Sequence, residues 1–103
     1  MRDMDKEVRD LHQKTTQTRY AFLQAELETC FTAIDMAKYE ISVGNIDVAE
    51  REVSFVEEGI RTLRRFLTDM PPEEQRKIEN RAGILQAMLD EIKAKLNRQS
   101  SDT

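Results

Sequence analysis

Apolar residues recur at alternating steps of three and four in three separate stretches of this chain, and that regularity constrains the fold more than any other feature. The first stretch runs Tyr20, Leu23, Leu27, Cys30, Ile34, Ala37, Ile41. The second runs Ile46, Ala49, Val53, Val56, Ile60, Leu63, Leu67, Met70, and the third Ile78, Ala82, Leu85, Leu89, Ile92, Leu96. This spacing lays one apolar stripe along one face of each helix, and such stripes are stable only when buried against one another. With 103 residues, 39% of them hydrophobic, the chain has material for one core and no more. Three Gly and two Pro are too few to turn a sheet protein every ten or so positions. The spacing therefore predicts an all-α domain.

Two breaks divide the stripes. Gly44 follows the first, where a left-handed helix end favours a residue without a β-carbon, and Asn45 is a good N-cap for the next helix. A turn this tight forces the first two helices to lie antiparallel. Pro71 and Pro72 make the second break. Proline disfavours helical geometry in the residue before it, so the second helix should end near Asp69. Pro72 suits a first helical position, with Glu73 and Glu74 at the positive end of the helix dipole. The expected architecture is a three-helix antiparallel up-down-up bundle over residues 15–98. Its helices should cover about 15–43, 46–69 and 72–97, with a disordered tail at 99–103.

Residues 1–14 are harder to place. Met4, Val8 and Leu11 are spaced four and three apart, as in an amphipathic helix, and no Gly or Pro separates them from Tyr20. Thr15, Thr16 and Thr18 argue the other way, because β-branched hydroxyl residues are poor in helix interiors. One reading is a long first helix projecting as an N-terminal arm; the other is a frayed or hinged segment. A projecting arm carries a stripe with no partner in its own chain.

Charge is uneven. The net charge is −4, and residues 24–58 hold two basic against nine acidic side chains. That half of the chain repels a phosphate backbone, which disfavours nucleic acid as a partner. Arg61, Arg64, Arg65 and Arg81 form a candidate basic patch near the proline turn. The plainer account is a solvated face: Arg64 and Arg65 sit near a helix C-terminus and Glu57 stands four residues before Arg61.

Candidates for chemistry are few. His12 is the single histidine, with no His or Cys at ligand spacing, and the Glu-x-x-His signature of di-metal bundles is missing. Cys30 occupies a core position, where a thiol is a poor nucleophile, and a single cysteine forms no internal disulfide. The carboxylates fall mostly off the stripes, and no glycine-rich phosphate loop or Ser-His-Asp arrangement can be assembled. The expectation is a protein without catalytic residues, cofactor or metal. No apolar run approaches the ~18 residues that span a bilayer, and the segment MRDMDKEVRD lacks the apolar core of a signal peptide, so the chain is expected to be cytoplasmic, with no membrane contact.

Apolar residues in excess of a minimal bundle flank the stripes. Val48, Phe55 and Phe66 lie on one flank of the second helix with Gly59 between the two phenylalanines; Phe22, Phe31 and Met36 flank the first, and Ile84 and Met88 the third. Wider stripes are needed where each helix meets two others. Gly59 costs ~1 kcal/mol in a helix interior, which implies a close approach, either by a neighbouring helix or by a partner entering a notch. The candidate interface is Met4, Val8, Leu11, Phe22, Phe55, Gly59 and Phe66. These residues point to a protein–protein interaction or self-assembly module, with a homodimer as the favoured partner state and another protein's helix as the second choice. The alternative is a small regulatory protein that contacts nucleic acid through the four arginines.

The stretch AKYEISVGNIDVAEREV, with Ala37, Gly44, Ile46 and Ala49, resembles the helix-turn-helix of a tetratricopeptide repeat. The resemblance spans one repeat, lacks the family's aromatic and proline positions and has no second copy, so it implies a tight helical hairpin and nothing about a partner.

Overall fold

The computed structural model of the chain describes the backbone of residues 2–101 and the side chains of residues 15–99. It is an all-α three-helix bundle: α1 Arg2–Ser42, α2 Ile46–Leu67 and α3 Pro72–Ser101, each packed against the other two. The core is the three stripes brought together. Leu23, Leu27, Ile34, Val56, Leu63, Ile78, Leu85 and Ile92 are almost wholly shielded from solvent. Ala33 joins them although it lies outside the first stripe, because α1 faces two helices and needs a wider apolar band than one line of residues.

The first turn closes by backbone geometry. Gly44 has φ 85°, and its N–H donates to Ile41 O at 3.2 Å while the Asn45 N–H donates to Glu40 O at 2.8 Å. These are the two bonds of a Schellman end, which satisfy the last carbonyls of α1. Asn45 departs from the expected N-cap: its side chain makes no capping bond to α2, and instead Nδ2 donates to Glu40 Oε2 at 2.7 Å. The side chain thus fastens the two ends of the Schellman turn, where an apolar contact is usual.

The second turn begins earlier than Asp69. α2 ends at Leu67, and the Met70 N–H donates to Leu67 O at 3.1 Å, folding the chain so that Met70 is buried under the turn. Pro72 is the first residue of α3, whose first turn carries Glu73 and Glu74. The tail needs correction as well: helix continues past Asn97 to Ser101, so residues 99–101 are helical where disorder was expected. Residues 102–103 lie outside the described residues.

α1 is one helix through Thr15, Thr16 and Thr18. Its 41 residues span about 60 Å against about 33 Å for α2. Arg19 reaches Asp69 in the second turn at 3.6 Å, which fixes the level where the bundle ends. The α1 backbone before Arg19 therefore continues beyond the bundle, and the molecule is 70 Å long but only 19 × 15 Å across.

Candidate functional site: an open apolar seam on the first helix

Gly59 is buried, and a β-carbon there would collide with Cys30 Sγ on α1. The glycine is thus explained by a contact inside the bundle, and it is not part of an exposed notch between Phe55 and Phe66. Cys30 itself is fully buried, and burial, with a smaller contribution from the Glu26 charge, pushes its thiol pKa up. A thiol held protonated in an apolar site is a core residue and a weak nucleophile.

The two phenylalanines have separate neighbours. Phe66 meets Phe22 of α1 edge to face, with ring centroids 6.2 Å apart. Phe55 lies farther along, where Thr29, Thr32, Ala33 and Met36 of α1 and Arg51 and Glu52 of α2 line an open groove of about 450 Å³ with it. Phe22, Phe55 and Phe66 all remain exposed in good part. The side chains of Met4, Val8 and Leu11, and that of His12, lie outside the described residues.

The four arginines do not share one patch. Arg81 reaches across to α1, where it pairs with Glu28 and stacks its guanidinium 5.6 Å from the Phe31 ring centroid. Arg61 and Arg64 line grooves between α2 and α3. Arg61 pairs with Glu58, not with Glu57, and this bond holds the Glu58 carboxyl below its usual pKa. Glu57 turns instead to Lys93 of α3 at 3.4 Å. Arg65 is exposed. Among the described residues no His, Cys, Asp and Glu cluster together as metal ligands would, and no polar or charged side chain is buried.

What remains unaccounted for is a second line on α1. Phe22 is 48% exposed, Met36 48%, Tyr39 64% and Val43 50%. They belong to a seam that advances by alternate steps of four and three: Phe22, Ala25, Thr29, Thr32, Met36, Tyr39, Val43. Every one of these residues is exposed. Thr29 Oγ1 donates to Ala25 O at 2.9 Å and Thr32 Oγ1 to Glu28 O at 3.0 Å. Both hydroxyls are thereby satisfied within their own helix, and the methyl groups are what the seam offers. Arg81 of α3 approaches α1 at Glu28 and Phe31, whereas the seam borders α2 through the Phe22 contact with Phe66 and the groove that Met36 shares with Phe55.

Continued toward the N-terminus, the same steps fall on Thr18, Thr15, Leu11, Val8 and Met4. No charged residue interrupts the line from Met4 to Val43, although charged residues are frequent on both sides of it. Apolar spacing alone registers Phe22 and Met36 as flanks of the core stripe and passes over the threonines; the signal that finds the seam is the unbroken absence of charge.

No family model, curated protein or solved structure matches this chain. No helix among the described residues is long and apolar enough to cross a membrane.

Proposed function

We propose that the chain is a non-catalytic helical interaction module that works by self-assembly through the open seam of α1 and the adjoining Phe55 and Phe66. The observation that carries this reading is the exposed, uncharged line from Phe22 to Val43 on a helix whose other face is already committed to the core. A soluble domain rarely leaves such a continuous line open without a partner to cover it. Magnitudes are compatible. Phe22, Met36, Tyr39 and Val43 are each about half exposed. Covering the rest gains roughly 0.8–1.5 kcal/mol per side chain, or roughly 6–12 kcal/mol for two copies. Association costs about 4–15 kcal/mol, so the gain from these residues is of the size that association requires.

The test is the mass of the full chain in solution, by light scattering behind size exclusion over a wide concentration range. The expected result is twice the chain mass of 12.0 kDa at micromolar concentration. A single species at the chain mass up to about 500 μM, weaker than ~4.5 kcal/mol of association, overturns the proposal.

A further inference from the structure

We propose that Met36 is a site of reversible oxidation: hydrogen peroxide converts its thioether to the sulfoxide ahead of Met70 and Met88, and the polar sulfur then opposes covering of the line from Phe22 to Val43. This rests on the self-assembly reading and adds a means by which assembly is switched off.

Exposure selects the residue. Met36 is 48% open to solvent, whereas Met70 is 5% exposed under the second turn and Met88 is partly buried against the core. A thioether has no ionisable form, so access to the oxidant sets how fast it reacts. Cys30 is fully buried and its thiol is held protonated, which makes it slow. The step balances without a further reactant. Sulfur donates an electron pair to one oxygen of the peroxide, the O–O bond breaks, and the sulfoxide and water are left; sulfur is oxidised and the peroxide reduced.

The surroundings of Met36 give the oxidation its effect. It lines the open groove with Ala33, Phe55, Thr29 and Thr32, and both threonine hydroxyls already donate to carbonyls of their own helix. A flexible apolar thioether suits such a surface, and the sulfoxide replaces it with a strong hydrogen-bond acceptor. Arg51 is the side chain lining the groove that is free to donate to it, since among the described residues it forms no salt bridge. While the groove is open, water or this guanidinium satisfies the sulfoxide oxygen. Covering the groove either strips the water or buries a charge with the sulfoxide, and both are unfavourable.

The experiment exposes the full chain to hydrogen peroxide, follows each sulfur by peptide mass spectrometry, and measures the dimer dissociation constant by sedimentation before and after. Met36 should convert at least about 10-fold faster than Met70, with Cys30 unmodified when Met36 is half converted. Conversion should raise the dissociation constant about 10- to 100-fold with the helical circular dichroism retained, and methionine sulfoxide reductases, one for each epimer, should restore it. Met36→Leu, close in volume, should keep the parent's constant and change less than about 3-fold under peroxide. Met1 and Met4 are present in both chains, so their oxidation cancels in this comparison. Met36→Gln, whose amide oxygen stands in for that of the sulfoxide, should raise the constant about as far with no oxidant present.

The outcomes separate the two readings. Conversion of Met70 as fast as Met36, or a Met36→Leu dimer that peroxide dissociates as readily as the parent, overturns the proposal. A dimer unchanged by the sulfoxide also overturns it while self-assembly stands. A chain that is monomeric before any peroxide is added removes both.

Discussion

α1 presents two lines of residues with the same period and opposite fates. Along one, Leu23, Leu27, Cys30 and Ile34 are completely buried by α2 and α3; along the other, Phe22, Met36, Tyr39 and Val43 are left about half open. Periodicity therefore marks a face that can be buried and does not say what buries it. In this chain the core line is covered within the molecule, and the second line is left open by it. The contrast also separates two uses of small residues. Gly59 and Cys30 are small so that two helices of one chain can touch, whereas Ala25, Thr29 and Thr32 are small on a line that stays exposed, Thr29 and Thr32 lining the groove beside Phe55.

Single changes on the two lines should differ most at the core. Leu27→Ala removes a fully buried side chain and should cost about 2–5 kcal/mol in a denaturant melt. A loss below about 1 kcal/mol would mean that the bundle refills the site and that the two lines are energetically alike.

The helix contact at Gly59 should come next. Gly59→Ala should lose about 1–3 kcal/mol through the collision with Cys30 Sγ. In a Cys30→Ala background the same change should cost less than it does alone, since the atom it meets is gone and alanine favours helix over glycine by ~1 kcal/mol. Additive costs in that double-mutant cycle would place the strain elsewhere.

A smaller effect is expected where α3 grips α1. Arg81→Ala removes both the Glu28 pair and the contact with the Phe31 ring, and should cost about 1 kcal/mol, since the group is partly solvated. Arg81→Lys should recover only part of this loss, because an ammonium cannot stack as a guanidinium does. Full recovery would leave charge alone as the source of the grip.

The pH dependence should carry a modest signature of the buried line. Burial raises the folded-state pKa of Cys30, so its contribution is fully present below the unfolded thiol pKa of about 8.5 and is lost as pH rises toward the folded value. Stability measured between pH 7 and pH 10 should fall more steeply for the parent than for Cys30→Ala. Equal slopes would show that the thiol ionises as freely in the folded state as in the unfolded one.

The smallest effect belongs to the open line. Tyr39→Ser should change the stability of the monomer by less than about 0.5 kcal/mol, measured below the association range, and should weaken the dimer at the same time. A large loss in the monomer would mean that Tyr39 is held by its own bundle and the contrast between the two lines would collapse.

Most of the bundle is legible without coordinates, because burial of apolar stripes is a property of spacing and needs no knowledge of neighbours. The three stripes, the two breaks and the buried Leu27, Ile34, Val53, Ile60, Leu85 and Leu89 all follow from it. Turn chemistry is less legible. Asn45 is a preferred N-cap by type, yet its amide serves Glu40, since the Schellman turn brings that carboxylate within 2.7 Å before any α2 N–H competes. Pair choice is not legible at all: spacing offers Glu57 to Arg61, and the bundle gives Glu57 to Lys93 and Arg61 to Glu58, because Glu57 faces α3.

The candidate site divides along the same boundary. Sequence alone determines that the positions from Met4 to Val43 at these steps are uncharged, since charge and spacing are intrinsic to the chain, whereas the continuity of α1 through Thr15, Thr16 and Thr18 is a finding of the structure. Spacing also marks Leu23, Leu27, Cys30 and Ile34 as the core line, and only the tertiary structure decides how much of the second line stays open. That extent depends on where α2 and α3 return to pack, and their positions are set by the Gly44 turn, the buried Met70 turn and the close meeting of Gly59 with Cys30. Those contacts join residues far apart in the chain, and no local rule of spacing or propensity reaches across that distance.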